Sequence, residues 1–557
     1  MAVKVSVVVP VYNPGAYIEE CLASLLGQSL PPDEYEIVLV DDGSTDATPA
    51  RLDALAAADP RVRVFHQENS GWSGRPRNVG IAAARGEYVM FVDDDDHLGA
   101  EALERMYDYG VAHGADVVVG KMAGRGRGVP VELFRRSHPR ATVASAPLID
   151  SLTPHKMFRR AFLDAVGLRF PEGRRRLEDH VFVTEAYLRA ANVSVLSDYV
   201  CYYHVRRDDA ANAGFRRFDP GGYFENLREA LDVVERYTEP GPLRDRLFRR
   251  WLRVEMVERM RGRRLLALPA GYRRELFREI HQVVVERFGP GVAAGLQPTQ
   301  RVVAALIAAD RPEAVEAFAA WEAGIAPTAV PERVAWEGGV LEVAFSAELA
   351  REGEPLTFPP AAGAPPPLDG PPGDLAAAVA WVGADTAARF GGARVDLLLR
   401  ERAGAAQYFQ PVRFTRERVP AGDGGRVRLV LRATAAVDPA ALPVAGVWDA
   451  FVRVRLGGWT GERRLGPAPV AGRPAPRAAL AGGRVVVPYW TAPRADLALD
   501  VDRATGRVGL GGIRRADIAV AGVSLRVRLP LRVPAEGAVA ALRLTASGAV
   551  HDVPAVL

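Results

Sequence analysis

The chain has 557 residues, 48% hydrophobic and 25% charged, with 71 basic side chains against 68 acidic ones and a formal charge of +3. That length implies about three or four domains of ~100–200 residues, the composition excludes a disordered or fibrous chain, and the near-balance of charge gives no sign of a nucleic-acid partner. Two cysteines, Cys21 and Cys201, exclude a disulfide framework and fit a reducing compartment, and no stretch reaches the ~18–20 apolar residues that would span a bilayer.

The first run, KVSVVVPVYN, carries a charge and an apolar segment but meets Pro10 and Asn13 with no small-residue cleavage site, which predicts a strand rather than a signal peptide. A soluble cytoplasmic protein is expected, working at the inner face of the cell membrane through its substrate. Strand and helix then alternate as in a parallel α/β sheet. Residues 5–9 read as a strand, 16–28 as a helix with Ile18, Leu22 and Leu25 on one face, and 37–40 as a strand ending in Asp41 and Asp42. A helix is predicted from Thr48, a strand over 62–65, and a buried strand over 88–92 that runs into Asp93, Asp94, Asp95 and Asp96. Between 145 and 215 the alternation continues less regularly.

From about 218 the chain turns helical, with apolar residues at three- and four-residue spacing over 223–237, 243–260 and 272–288. Beyond Ala326 short alternating runs such as RVRLVLRA and FVRVRL, set between connectors such as FPPAAGAPPPLDGPPGD, predict antiparallel β modules. A second such block follows GPAPVAGRPAPR. The expected division is 1–217, an α/β catalytic domain; 218–325, a helical linker; and 326–470 and 476–557, two β-sandwich-like modules.

The chemistry gathers in the first 215 residues. Four carboxylates at the C-terminal end of a buried strand need a cation, and a hard ion held by one or two of them with substrate phosphates completing its shell is the usual Mg²⁺ or Mn²⁺ arrangement. Pro10, Tyr12, Asp41 and Asp42 fall at the ends of adjacent strands, where Asp42 can accept a ring N–H and Tyr12 can pack on a nucleobase. ENSGWSGRPRNVG adds a glycine-rich approach with Arg75 and Arg77, whose guanidinium groups suit phosphate oxygens. Only Lys4, Lys121 and Lys156 are lysines, so the arginine excess reads as a coding bias and arginine clusters carry less functional weight.

In this order VSVVVPVYN, VDDGSTD, NSGWSGRPRNVG, GEYVMFVDDDD and LEDHVF resemble the family 2 glycosyltransferases, inverting enzymes of GT-A fold that use a nucleotide-activated sugar. KMAGRGRGVPVELF, SLTPHKMFRRAFL and SVLSDYVCYYHVRR look more narrowly like the wall teichoic acid glycosyltransferases, which attach N-acetylglucosamine to poly(ribitol phosphate). The resemblance implies a Rossmann-like GT-A domain, a helical linker and tandem immunoglobulin-like modules that assemble a homotrimer. It implies that Pro10, Tyr12, Asp42, Asn69, Arg77 and Asp93 line the uridine and ribose site, and that Asp95 takes the metal, Mn²⁺ or Mg²⁺, as the second acid of a D-x-D pattern. Asp179 then corresponds to the catalytic base, with Glu178 beside it as an acceptor or sugar contact.

A hydroxyl attacking an anomeric carbon must lose its proton, and a carboxylate within reach can take it. Asp179 also opens the predicted helix VFVTEAYLRA, where the helix dipole alone would favour a carboxylate. His204 is read as completing the metal shell or touching the diphosphate, and Asp94 and Asp96 as indirect supports. Lys156, Arg206 and Arg207 are the candidate contacts to an anionic acceptor, with the arginines at 174–176 nearby. The expected activity is metal-dependent transfer from a UDP-sugar, UDP-N-acetylglucosamine first among them, to an anionic cell-wall glycopolymer with a β linkage. The alternatives are a transferase for a capsular or other surface polysaccharide and a non-catalytic glycan-binding scaffold.

Overall fold

The computed structural model describes residues 3–209, 217–360, 363–422, 425–467, 477–503, 507–508, 513–521, 524–528, 531–533, 540–546 and 549–555. They fall into two compact units, one of Met1–Ala323 with Pro367–Val382 and Gly404–Ala406, the other of Gly324–Pro366, Gly383–Ala403 and Gln407–Leu557.

The first unit is built on a nine-stranded sheet. Strands β1 (Val5–Val11), β2 (Tyr35–Asp41), β3 (Val62–His66) and β4 (Tyr88–Phe91) lie parallel in the order β3-β2-β1-β4. All residues of β1, β2 and β4 are buried, as near-continuous apolar runs require when helices cover both faces of a sheet. Both β1 and β2 run further than expected, because the parallel register continues to Val11 opposite Asp41. Tyr12 and Asp42 therefore follow directly on the last paired residues. Helices α1 (Ile18–Leu26), α2 (Thr48–Ala58) and α3 (Gly74–Ala83) make the crossovers.

The less regular stretch supplies the other half of the sheet. After β5 (His97–Leu98) and α4 (Ala102–His113) come β6 (Val117–Arg125) and β7 (His138–Ala141). The short β8 (Met157–Arg159) inserts antiparallel between β4 and β6. Helices α5 (Arg160–Val166) and α6 (Glu178–Arg189) precede the long β9 (Val193–Val205), which runs parallel to β6 with the register shifting around Lys121. This is a Rossmann-like GT-A sheet.

Helices α7 (Pro220–Tyr237), α8 (Pro242–Trp251), α9 (Gly262–Leu266), α10 (Ala270–Arg287), α11 (Pro290–Ala294), α12 (Pro298–Ala308) and α13 (Pro312–Glu322) form the helical linker region. In α10 Leu276, Phe277, Ile280, Val283 and Val284 are buried at the spacing of one helix face. The helix expected over 243–260 is instead broken after Trp251 by a π turn, Leu252–Met256, and a 3₁₀ turn, Val257–Met260. The π turn carries Glu255 inward to meet Arg250, five residues back, and Tyr223 of α7.

The second unit is mainly β. Strands β10 (Ile325–Glu337), β11 (Val340–Arg351), β12 (Glu354–Pro355), β15 (Val412–Pro420) and β16 (Val427–Val437) make a five-stranded sheet with β15 at one end. Strands β13 (Arg394–Glu401), β14 (Gln407–Phe409), β17 (Gly446–Leu456), β18 (Trp459–Arg464), β19 (Ala478–Ala481), β20 (Arg484–Trp490) and β21 (Leu497–Val501) join Leu531–Arg532 in an eight-stranded one. In β17 burial alternates strictly, which is the period-two pattern read from FVRVRL. Because β17 pairs with β21, strands on both sides of GPAPVAGRPAPR share one sheet. The β pattern gave no sign of α14 (Leu375–Ala388), whose LAAAVAWVGADTAA is rich in the strongest helix former. Among the described residues no helix is long and apolar enough to cross a membrane.

Candidate active site

A cavity of about 920 Å³ opens beyond the C-terminal ends of β1, β2 and β4, where open α/β sheets bind their ligands. At one end stand Pro10, Tyr12, Asp42 and Asn69. Tyr12 is half exposed, free to pack against a flat ring. The Asp42 carboxylate is buried and fixed: one oxygen accepts from the Ser70 main chain at 3.0 Å and the Gln67 amide, the other from the Ser70 hydroxyl at 2.9 Å. Asn69 donates to the Asp42 carbonyl at 2.8 Å, which locks the loop after β3 onto the end of β2.

Arg77, buried in α3, is the hub of the site. One guanidinium nitrogen donates to Asp93 at 2.8 Å, and the other donates to Glu178 and to the Ser73 hydroxyl, both at 2.9 Å. Glu178 accepts two further bonds, from the Trp72 indole at 2.7 Å and from Ser73 at 2.9 Å. Its carboxylate is thus committed to holding α3 and its preceding loop against the start of α6.

The other oxygen of Asp93 accepts from His155 Nε2 at 3.0 Å. Burial works against the charge on Asp93, but His155 and Arg77 outweigh it and hold the carboxyl well below the usual range. Asp94 and Asp96 go the other way. Burial and Asp95 push Asp94 up to about 8, and burial with Asp93 and Asp95 lifts Asp96 well above a normal aspartate. Asp96 is buried and accepts from the Tyr202 hydroxyl and the Val205 main chain, both at 2.7 Å.

Two groups of side chains here have the chemistry of cation ligands. Asp93, Asp95 and Asp96 bring one oxygen each within 4.8 Å of one another, and so do Asp96, His155 and His204 with one ligand atom each. With Nε2 donating to Asp93, His155 is left with a buried Nδ1 that has no hydrogen-bond partner. Carboxylate oxygens next to a lone-pair imidazole fit a divalent ion such as Mn²⁺ or Mg²⁺. His204, with Nε2 at 4.0 Å from Asp96, is lowered well below an ordinary imidazole by burial and is neutral there.

Asp179 lies on the same cavity, at the start of α6. The preceding Leu177 has φ 62°, a left-handed backbone that a branched residue rarely adopts and that turns the chain sharply into the helix. Burial, followed by the neighbouring charge of Glu178, pushes the Asp179 carboxyl up to about 7. The carboxylate accepts from the main chain of His180 at 2.9 Å.

The far wall comes from the helical linker. Tyr223, Arg259 and Arg264 line the cavity beside Arg176 and Phe218. Arg259 lies 5.0 Å over Phe218 and 4.9 Å over Tyr223, and Arg176 lies 5.6 Å over Trp72. Buried Glu255 anchors the wall, accepting from Tyr223 at 2.7 Å and from Arg259 at 2.5 Å.

The structure therefore brings Pro10, Tyr12, Asp42, Asn69, Arg77, Asp93, Asp95, Glu178, Asp179, His204 and Arg207 onto one cavity. It does not bring Lys156 or Arg206 there. Lys156 is fully buried, its ammonium donates to the Thr153 carbonyl, and burial lowers it to about 7. Arg206 packs beside Gly126, its main chain bonded to Arg125 at 2.8 Å. The sequence alone did not single out His155, Trp72, Ser73, Tyr223, Arg259 or Arg264. His155 stands in SLTPHKMF and Trp72 and Ser73 in NSGWSG, so their signal was the motif itself; the linker residues had only helical spacing.

The sequence matches the glycosyl transferase family 2 model over residues 6–169 and the glycosyl transferase TarS linker domain over 220–319. A poly(ribitol-phosphate) beta-glucosyltransferase of Bacillus spizizenii is 41% identical over 234 residues, 42% of this chain and 37% of that one. The poly(ribitol-phosphate) beta-N-acetylglucosaminyltransferase TarP of Staphylococcus aureus is 34% identical over 241 residues, 42% of this chain and 72% of its own. The chain spans well under half the length of the first of these relatives. Among solved structures, S. aureus TarS 1-349 in complex with UDP-GlcNAc superposes with a TM-score of 0.51 at 28% identity, covering 63% of this chain and 98% of that one.

The arrangement separates two adjacent acids by what they do. Glu178→Ala should leave Arg77 with a single carboxylate and cost about 3–5 kcal/mol in a urea titration, as breaking a buried pair does. Asp179→Asn, which removes no ion pair, should unfold close to the parent. Equal midpoints for the Glu178 variant and the parent would show that the Arg77 bridge is not what holds α3 to α6.

Proposed function

We propose that this chain, which belongs to glycosyltransferase family 2, is an inverting, metal-dependent enzyme that moves a sugar from a UDP-sugar to a hydroxyl of an anionic cell-wall polyol-phosphate polymer. The observation that carries this reading is one cavity holding both the strand-end aspartates and a carboxyl, Asp179, whose proton leaves near pH 7. UDP-N-acetylglucosamine is the first donor, supported by the TarS complex and by TarP; glucose is the second, supported by the B. spizizenii relative. The anionic acceptor is supported by the arginine and aromatic wall of Arg176, Arg259, Arg264, Phe218 and Tyr223.

In this mechanism Tyr12 packs on the uracil, and Asp42 and Asn69 shape the pocket around it. Arg77 keeps Asp93 ionised at the ribose end. Asp95, with Asp93 or His204, would hold Mn²⁺ or Mg²⁺, which when bound neutralises charge growing on the departing diphosphate. The acceptor hydroxyl enters along the cationic wall and gives its proton to Asp179 as it attacks the anomeric carbon from the side opposite the diphosphate. One displacement inverts an α-linked donor to a β product. Glu178, saturated by Trp72, Ser73 and Arg77, positions this base rather than sharing its work.

We take residues 1–217 as the catalytic domain, 218–325 as the linker, and 326–557 as a β region that assembles a homotrimer, its expected parts 326–470 and 476–557 joined through the sheet that β17 and β21 share, with exposed Val330 on β10 and Val444 as apolar surface for that contact. Light scattering of the full chain should give three times the chain mass; a single-chain mass removes the assembly.

Asp179 must be unprotonated to act, so transfer should fall about tenfold for each unit that pH drops below about 7. Asp179→Asn should lower transfer by at least ~10²-fold with UDP affinity kept, the lower range for general-base catalysis. Unchanged turnover would remove Asp179 from the mechanism.

Calorimetry tests the cation. Asp95→Ala should weaken UDP binding in Mn²⁺ or Mg²⁺ and leave it unchanged in EDTA. Equal losses in both would make Asp95 a direct contact to the nucleotide.

A further inference from the structure

In the second unit many arginines face carboxylates. Arg333 pairs with Glu342, Arg400 with Glu462, Arg402 and Arg464 with Asp449, Arg432 with Glu417, and Arg484 with Asp502. Three exposed arginines clustered around the turn Phe390–Gly392 have no such partner: Arg394 at the start of β13, and Arg416 and Arg418 on β15. Arg394 donates to the Gly391 carbonyl at 3.0 Å and to the Ala393 carbonyl at 2.9 Å. Arg416 donates to that same Ala393 carbonyl at 3.1 Å, so two guanidinium groups converge on one oxygen.

Arg416 also lies 4.7 Å over Phe414, and Arg418 lies 5.5 Å over Phe390, a buried ring packed edge-on against Phe358. These partners are all neutral, either a carbonyl oxygen or an aromatic face. Among the described residues none of the three has a carboxylate within ion-pair distance. Glu417, between Arg416 and Arg418, points to the opposite face of β15 and is held by Arg432 at 2.7 Å. Arg455, across from Arg394 in the sheet, has its own acid, Asp396, at 3.6 Å.

Three like charges fixed side by side repel one another unless an anion sits between them. Their donors are oriented by rings and carbonyls, which leaves guanidinium edges for the paired hydrogen bonds that phosphate oxygens accept. On β15, at the free end of its sheet, Arg416 and Arg418 are two residues apart on one face, about 6.7 Å along the strand.

We infer that Arg394, Arg416 and Arg418 form a phosphodiester-binding site for the anionic acceptor polymer, outside the catalytic cavity. The inference rests on the reading of the acceptor as a polyol phosphate. A chain held here stays with the enzyme between transfers, so its hydroxyls meet the cavity at a raised local concentration. The site acts on long acceptors only, because a single repeat gains nothing from a second point of attachment.

The test uses the full chain with all three arginines changed, Arg394→Gln, Arg416→Gln and Arg418→Gln, and synthetic ribitol phosphate oligomers of one repeat and of many. The long oligomer should bind at least ~10-fold more weakly, and log affinity against log salt should flatten by about 2, at ~0.7 for each phosphate no longer neutralised. Turnover of the single-repeat acceptor should be unchanged. A second variant with lysine at the three positions keeps the charge and should recover most of the long-oligomer affinity. Unaltered binding and salt slope in the glutamine variant would overturn the site. So would an equal loss of binding to polyaspartate, which would make the patch a general cation surface, or an equal loss on the single-repeat acceptor. If the parent turns over no polyol phosphate, the functional reading fails on its own, and long-oligomer binding still reports on the arginines.

Discussion

A buried guanidinium is stable only where carboxylates meet it, because stripping water from an unpaired charge costs several kcal/mol. Arg77 is such a group, and it is met from two sides, by Asp93 at the end of β4 and by Glu178 at the start of α6. Those acids belong to two different walls of the cavity. The bridge therefore fixes the distance between the end that would hold a nucleotide and the helix that would present the base. Trp72 and Ser73 tie the loop before α3 to the same carboxylate, so the glycine-rich approach is held by the bridge as well.

The acids around this bridge show how position decides protonation. Asp93, beside Arg77 and His155, stays ionised, while Asp94, half-buried, and Asp96, fully buried, lie among other acids and are pushed upward. Burial, reinforced by Glu178 and only partly offset by Arg77, carries Asp179 to about 7. One residue type thus supplies a fixed anion, supports whose ionisation their neighbours oppose, and a group poised to take a proton, which is the division of labour acid–base catalysis needs. The strained Leu177 sits at the point where that group is set into place.

Much of this was legible in the chain. Strands β1, β2 and β4 announced themselves as apolar runs closed by acids, and helices α7 and α10 by their spacing. Motif order then placed Asp93, Asp95, Glu178 and Asp179 in one site. What could not be read was contributed across long sequence separations. The antiparallel β8, three residues long, carries too little pattern to stand out, yet it sets His155 beside Asp93. The linker helices showed amphipathic periodicity but not that Tyr223, Arg259 and Arg264 face the cavity. The π turn that aims Glu255 has no local signature, since it answers to Arg250, Arg259 and Tyr223 in space. Lys156 drew interest by its rarity and charge, and rarity says nothing about burial.

The central claim is that Asp179 receives the acceptor's proton on the side of the sugar away from the diphosphate. The most direct measurement is a crystal structure of Asp179→Asn with UDP-N-acetylglucosamine, Mn²⁺ and a ribitol phosphate oligomer bound together. An acceptor hydroxyl should lie about 2.6–3.2 Å from the side chain at position 179, with the anomeric carbon between that hydroxyl and the diphosphate. A hydroxyl seated against another side chain, or on the diphosphate side of the sugar, would contradict the claim.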